Sequence, residues 1–485
     1  MPSQSPSWIV RPLVPEPVYT DRAEFLEYFH HAALEAAHRR TMSTVLLGQR
    51  RMGKTEIFKR VVNRLFAEQN PNDPYAVIPV YYSFRDQPSD ETSFAIDYME
   101  NFIRYYVGFL TSQPQLIEEA PSSTKLLAIV EKSRSLYPFT RTLNIMLDWL
   151  DSVAIRDTVY PQRDALWLPR RVSDLDESTI VIFLDEFQNT RLPQFNFEIV
   201  GFMQEAVESP TCPHFVTGSA MSILAREIIG RGSLFGRFRG KDIKAMTGYW
   251  GTELARKAAD YYKADITELM APVIANRCGG NPFYITAVIQ QAAESGQSLY
   301  DEESLNRILA VDISSGVIWG ELSDQVTRWI ERINDYGITK QILYLSALDE
   351  NTEADKKGRL NIERIRSEVK RREGRDVTPE AVKEVLVKLA RGDLVDYLEF
   401  GGWFRRIKDP VLVEFLKVWG RNEVDGEAKT EIQDELKADY VKLKRQISEY
   451  RGYLAEVYMS QVLLNGDRKM LPGHFFNQKA VIKQC

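Results

Sequence analysis

The chain has 485 residues, of which 44% are hydrophobic and 27% charged, the balance of a globular protein with room for about two to four separately packed domains. A net charge of −6 excludes a global attraction to nucleic acid and leaves only a local basic patch for such a partner. Three scattered cysteines (Cys212, Cys278 and Cys485) exclude a disulfide framework or a C-x-x-C zinc site, no basic-then-apolar leader opens the chain, and no apolar run approaches the ~20 residues of a membrane helix, so the expectation is a cytoplasmic protein with no membrane partner.

Met1 to Pro17 carry five prolines and several serines, which predicts an extended arm over residues 1–18 without regular structure. Thr20 or Asp21 is expected to cap a helix running to about Arg39, with Phe25, Leu26, Phe29 and Leu34 on its apolar face. Val45-Leu46-Leu47 then end a short strand, and Gly48-Gln49-Arg50-Arg51-Met52-Gly53-Lys54-Thr55 follows, fitting G-x-x-x-x-G-K-[ST]. A helix from Gly53 through Phe66 comes next, with Ile57, Val61, Val62 and Leu65 on one face. In such a strand–loop–helix, Gly48 and Gly53 are expected to adopt backbone angles that side chains forbid, so that successive N–H groups turn toward a phosphate. The helix N-terminus adds partial positive charge, Lys54 reaches the β- and γ-phosphates, and the Thr55 hydroxyl ligates Mg²⁺. The predicted nucleotide contacts are Gly48, Gln49, Arg50, Arg51, Met52, Gly53, Lys54, Thr55 and Glu56.

A second strand is expected over Ala76 to Tyr82, then helices at about Thr92–Leu110, Ser123–Ser133 and Phe139–Val153, read as an insertion of about residues 90–175 in the core. The proline- and charge-rich stretch Tyr160 to Glu177 leads into the next strand. Ile180-Val181-Ile182-Phe183-Leu184 is the most apolar strand, and its continuous β-branched and aromatic run implies burial on both faces of a parallel sheet. Asp185 and Glu186 follow at the edge where α/β proteins bind ligands, Asp185 positioned to hold Mg²⁺ and Glu186 to act as general base toward water. A helix at about Phe195–Glu208 and a strand His214–Ser219 come next. Ser219 is either a helix cap or a contact to the γ-phosphate or attacking water. The segment Gly230 to Lys241 interleaves glycine and arginine with Phe235 and Phe238. It fits a nucleic-acid loop, a flexible solvated loop, or a loop presenting Arg237 to the γ-phosphate.

In the C-terminal third, Thr378-Pro379 has the cap and first-turn order of a helix start, Val382, Val385, Leu386 and Leu389 form its apolar face, and Gly392 ends it. Leu394 to Phe400 alternates as a strand, Gly401-Gly402 makes a turn and Trp403 to Ile407 returns. With helices around Ile338–Leu348 and Ile362–Arg372 this is a winged-helix pattern. Lys383, Lys388, Arg391, Arg405 and Arg406 offer contacts to DNA phosphates, diluted by Glu380, Glu384 and Asp393.

These motifs together resemble the archaeal-type ATPases, in the STAND branch of AAA-related P-loop NTPases. The phosphate loop and Leu184-Asp185-Glu186-Phe187 carry the resemblance most specifically. Gly218-Ser219, Leu234-Phe235-Gly236-Arg237 and Cys278-Gly279-Gly280-Asn281-Pro282-Phe283-Tyr284 extend it across about Tyr19 to Leu416. The resemblance implies an α/β fold in which a P-loop NTPase core, a five-stranded parallel sheet flanked by helices (19–248), precedes a helical lid (249–335) and a winged-helix domain (336–420). It also places Tyr19-Thr20-Asp21-Arg22 beside the adenine, with Asp21 and Arg22 as contacts, and Gly280 and Pro282 of the lid near the nucleotide. A charged helical tail follows (421–485). Within it, Glu449 to Glu456 resembles the opening of a nuclease-like domain, but only Asp467 and no E-x-K follow before Cys485. A tail docked on the protein is the preferred reading.

The expected activity is ATP hydrolysis with Mg²⁺, exchanging ATP for ADP to drive a switch. The alternative is a DNA-associated binding protein that holds ATP as a structural ligand or slow timer, and a protein partner and the oligomeric state stay open. A small-molecule kinase fits less well, since it does not need the acid pair Asp185-Glu186 poised for water.

Overall fold

A computed structural model of the chain describes residues 8–86, 90–118, 141–154, 158–191, 197–218, 232–333, 338–348, 360–391, 394–398, 403–405, 407 and 409–438, with single positions between them and two residue pairs, 470–471 and 483–484, beyond. Helices of eight residues or more that are named below are numbered in chain order.

The first half is built on five parallel strands, β1 (Thr44–Leu47), β2 (Val77–Ser83), β3 (Thr179–Asp185), β4 (His214–Thr217) and β5 (Arg239–Asp242), in the order β2-β3-β4-β1-β5. All seven residues of β3 are buried, as its uninterrupted apolar sequence predicts, because β2 and β4 flank it and helices cover the faces. Helices α1 (Ala23–Glu35) and α2 (Lys54–Glu68) pack on each other and meet the sheet through four rings. Phe29, Phe58, Phe183 and Phe215 stand edge-to-face with centroids 5.1–5.4 Å apart. α3 (Glu91–Leu110) and α4 (Arg141–Ala154) agree with two helices of the expected insertion. The third, Ser123–Ser133, and the tail beyond 438 lie outside the described residues, apart from single positions and the short pair Met470–Leu471 with Lys483–Gln484.

Four expectations need correction. The proline- and charge-rich stretch before β3, expected without an element of its own, holds α5 (Pro161–Leu175): Pro161 occupies the first turn, where its missing N–H is harmless, and the buried face Ala165, Leu166, Leu168 and Val172 tolerates Pro169. Strand β5 was read as loop because its side chains are charged and mostly exposed. It is an edge strand held by backbone pairing to β1 alone, in register from Thr44 opposite Arg239 to Leu47 opposite Asp242. No side chain caps α1: Asp21 and Arg22 both adopt the left-handed conformation (φ 63° and 72°), while the Thr20 hydroxyl donates to the Val18 carbonyl instead. Between 197 and 218 the expected long helix is only the turn Met203–Ala206.

The N-terminal arm is irregular, as its prolines require, but it is tied down. Asn63 of α2 accepts from the Ile9 and Val10 N–H groups at 2.8 and 2.9 Å, Glu56 accepts from Leu13 N–H at 2.7 Å, and Arg60 pairs with Glu16 at 2.5 Å. Polar side chains on one helix face thus satisfy backbone that no sheet pairs.

The second half is helical. α6 (Gly248–Tyr262), α7 (Met270–Arg277), α8 (Pro282–Ser295), α9 (Glu302–Ser315), α10 (Val317–Ile333), α11 (Thr339–Leu348), α12 (Ile362–Glu373), α13 (Pro379–Arg391) and α14 (Pro410–Glu423) share one continuous apolar core from Met246 to Ile432. Thr378 caps α13 through the Ala381 N–H, and Val382, Val385, Leu386 and Leu389 are buried, as the spacing predicts. The hairpin β6 (Asp396–Leu398) and β7 (Trp403–Arg405) pairs Tyr397 with Phe404, and the Leu360 N–H donates to the Phe404 carbonyl. The turn at Gly401-Gly402 and Arg406 lie outside the described residues.

The junction of α9 and α10 rests on Asp312, a fully buried acid whose Oδ1 accepts from the Ile318 N–H at 2.8 Å. A Cβ on Gly316 would lie 2.3 Å from that oxygen, so only glycine fits there. Burial pushes the Asp312 pKa from 3.8 up to about 6. A raised acid pKa means that the folded state holds its proton more tightly. Its favourable contribution is therefore complete below about pH 4 and is lost as pH rises through about 6. Relative to Asp312→Asn, the wild type should lose on the order of 2–3 kcal/mol of stability between those pH values, measured by urea unfolding. Parallel pH profiles for the two proteins would rule this out.

Candidate functional site

The loop after β1 is shaped by two glycines for different reasons. Gly53 has φ 89° and precedes Lys54, the first residue of α2, so it needs the left-handed freedom that the sequence implied. Gly48 does not. It is required because a Cβ would lie 2.3 Å from the Ile243 side chain and 2.7 Å from its carbonyl, where the chain leaving β5 crosses the loop. Arg51 takes a left-handed turn as well (φ 65°). The Lys54 ammonium is buried and donates to the carbonyls of Gly48 and Gln49, each at 2.7 Å. The loop's carbonyls thus fix a cation at the first turn of α2.

At the end of β3, Asp185 is buried and its two oxygens are spoken for: Tyr81 donates to Oδ2 at 2.9 Å and the Glu186 N–H donates to Oδ1 at 2.8 Å. Glu186 itself sits at φ 52°, a left-handed turn that swings it off the strand. Its pKa is raised, first by burial and second by the neighbouring Asp185 charge, against the opposing pull of Gln188, Arg50 and Lys54. Gln188 Nε2 donates to Glu186 Oε2. Gly218, ending β4, lies so close that a Cβ would meet Gln188 Oε1 at 2.3 Å.

These two segments face one cavity of about 580 Å³. Its wall includes Arg22, Arg50, Arg51, Met52, Gly53, Lys54, Thr55, Glu56, Asp185, Glu186 and Pro282 among the residues expected from sequence. Gly48 and Gln49 stand behind the wall and contribute carbonyls to Lys54. Asp21 turns instead to Arg22, at 3.6 Å, and Arg22 donates to the Lys244 carbonyl at 2.9 Å. The Glu56 carboxylate is engaged with Arg60 at 2.7 Å and with the arm, so it shapes the wall rather than facing a phosphate. Arg237 pairs with Glu208 at 2.8 Å and is not part of the wall. Ser219 lies outside the described residues.

The sequence reading missed the rest of the wall. Leu13, Val14 and Val18 of the arm with Leu254 and Tyr262 of α6 form a largely apolar end, and Glu321 of α10 adds an acid beside Arg51. Only the acceptors of α2, Glu56 and Asn63, hinted that the arm would fold back there. Tyr19 lies on the same wall, its ring beneath the Arg60 guanidinium at 3.8 Å. A cavity with a cationic, amide-rich end and an apolar end matches a nucleotide, phosphates at one end and base at the other. Thr55 and Asp185 put a hydroxyl and a carboxylate on its rim, hard oxygen donors that suit Mg²⁺ when phosphates supply further ligands. Among the described residues there is no cluster of three or more acidic, His or Cys side chains that would hold a metal without them.

The helical half closes the cavity. Gly280 (φ 68°) approaches Met246 so tightly that a Cβ would meet its carbonyl at 2.3 Å, and Asn281 caps α8 by accepting from the Phe283 N–H at 3.0 Å. This places Pro282 and Phe283 over the phosphate loop. The Arg51 guanidinium lies 4.4 Å from the Phe283 ring centroid and pairs with Glu321. Arg328 of α10 pairs with Asp86, just past β2. On the far side, Tyr284 donates to Asp409 at 3.0 Å and Arg277 pairs with Glu414 at 2.5 Å, joining α7 and α8 to α14.

No family model matches the sequence, and no curated protein matches it either. Among solved structures the chain is similar to a Walker-type ATPase of Pyrococcus abyssi, with a TM-score of 0.53 and 17% identity, covering 84% of this chain and 98% of that one. It is also similar to the ORC2 protein of Aeropyrum pernix, with a TM-score of 0.46 and 14% identity over 90% of this chain and 98% of that one. The first likeness shows the fold: an α/β P-loop NTPase architecture with a helical C-terminal part.

Proposed function

We propose that the protein is an Mg·ATP-dependent ATPase that works as a nucleotide-driven switch, of the archaeal-type, STAND-like kind. The observation that carries this reading is the meeting of Lys54 and Thr55 with Asp185 and Glu186 around one cavity. In this reading the loop N–H groups and Lys54 bind the β- and γ-phosphates, and Thr55 and Asp185 hold Mg²⁺, which neutralises phosphate charge when bound. Glu186, its pKa raised by burial and then by the Asp185 charge, accepts a proton from the attacking water. The apolar end, with Tyr19 and Val18, takes the base. The lid contacts at Arg51 and Arg328 pass nucleotide state to the helical half, within which we assign 249–335 as lid and 336–420 as winged helix.

The DNA-associated alternative draws on Lys383, Lys388 and Arg391 of α13 with Arg405 and Arg406, and the adjoining basic helix α12 adds further cations beside them. There, however, Arg366 and Lys370 face Asp376, Arg371 faces Glu368, and Arg372 faces Glu368 and Asp425. Lys388 of α13 likewise pairs with Glu384, at 3.4 Å. Basic residues already paired offer less to a phosphate backbone, which favours the switch. The deciding measurement is phosphate release from ATP and Mg²⁺, with no acceptor substrate, with and without DNA across a salt series. Steady release that DNA leaves unchanged is the expected result. Absence of release combined with salt-sensitive DNA binding would transfer the assignment to the alternative.

A further inference from the structure

Beside the large cavity lies a smaller one of about 60 Å³ that shares Arg50 and Glu186 with it. A space of that size holds a few waters at most. Gln188 and Asn189 form its floor on the sheet side, and Gln325 and Arg328 of α10 form its roof. Most of these polar groups are engaged. Gln188 donates to Glu186, Asn189 donates to the Phe84 carbonyl at 2.8 Å, and Arg328 pairs with Asp86 and Asp324. Gln325 differs: it is 4% exposed, faces this cavity, and its amide has no hydrogen-bond partner among the described residues. An amide nearly enclosed by protein and unpaired within it is expected to hydrogen-bond a polar occupant of the cavity it faces.

We propose that the small cavity is the chamber of the attacking water and that Gln325 is a water-positioning residue, supplied by the C-terminal half to the acid carried at the end of the sheet. This rests on the ATPase reading above. The Gln325 carbonyl accepts one O–H of the water while Glu186 accepts the other, aiming the water oxygen at the γ-phosphorus. The new P–O bond forms as the bond from the γ-phosphorus to the bridging oxygen breaks. ADP leaves with that electron pair, and the water's proton passes to the Glu186 carboxylate.

The placement follows from the helix period. Glu321, Gln325 and Arg328 recur at four and seven residues and share one stripe of α10, turned to the phosphate loop and the chamber. The adjoining stripe, Ile318, Leu322, Val326 and Ile330, is buried in the core shared with α9, α13 and α14. One rigid helix therefore completes the chamber and is anchored in the helical half, so the chamber is whole only while that half is docked.

The test uses the full-length protein and Gln325→Leu, with Gln325→Asn as a second variant that keeps an amide too short to reach. Affinity for a fluorescent non-hydrolysable ATP analogue is expected to stay within about threefold of wild type, while single-turnover phosphate release falls about 10²-fold. Independently of turnover, the preference for ADP with aluminium fluoride over ADP alone, read by isothermal titration, should drop about tenfold or more, because that complex includes the in-line water. Wild-type turnover and wild-type preference in both variants would overturn this inference and leave the ATPase reading standing. Wild-type protein that binds nucleotide but releases no phosphate would overturn both.

Discussion

Replacing Lys54 with alanine is expected to weaken ATP binding by about 10–100-fold or more, toward abolition at ordinary concentrations. The lysine is a cation that the loop itself fixes, held by two carbonyls at 2.7 Å with its side chain buried. A charge-assisted contact to phosphate is worth about 1.5–3 kcal/mol, more than a neutral hydrogen bond, because the donor carries a full charge. The substitution also strips the Gly48 and Gln49 carbonyls of their donor, so folding must be followed separately by urea unfolding. Titration of a fluorescent ATP analogue decides the matter. Affinity within twofold of wild type in a folded variant would mean that phosphates do not bind at this loop.

The second large effect separates binding from chemistry. Glu186→Gln should keep nucleotide affinity and slow hydrolysis by about 10²–10⁴-fold, the usual worth of a positioned general base. The pH dependence gives an independent check. Burial and the Asp185 charge raise the Glu186 pKa above the ordinary carboxylate range. A base must be unprotonated to act, so wild-type turnover should fall as pH falls through that raised pKa, and the acid limb should be missing from the residual rate of the variant. Full activity in Glu186→Gln would reassign the base. The left-handed turn at Glu186 and its contact to Gln188 make a local rearrangement the first thing to exclude, by comparing ADP affinity in the two proteins.

Part of this site could be read without coordinates because phosphate binding constrains adjacent residues. The run from Val45 to Thr55 encodes strand, loop and helix start within eleven positions, and the acids at 185–186 follow a strand apolar enough to be identified by composition alone. Where the constraint came from packing instead, the reading gave the right residue for the wrong reason, as at Gly48, or missed the element. Strand β5 carries no apolar signal because an edge strand is held by its backbone. Helix α5 was hidden by Pro161 and Pro169, whose effect depends on which turn they occupy.

What the sequence by itself determined is local: a glycine loop between a strand and a helix, an acid pair at a buried strand end, and helices whose apolar spacing requires a core. Those features are set by residues within a turn or two of each other, and short-range sterics and periodicity are enough to specify them. Only the tertiary structure decided what surrounds them. It folded the N-terminal arm onto Glu56 and Asn63, turned Arg237 to Glu208, and carried Gln325, 139 positions beyond Glu186 in the chain, to the roof of a chamber beside it. Such contacts depend on how whole helices pack, and a polar residue on a helix reads the same in sequence whether it meets solvent or a buried carboxylate.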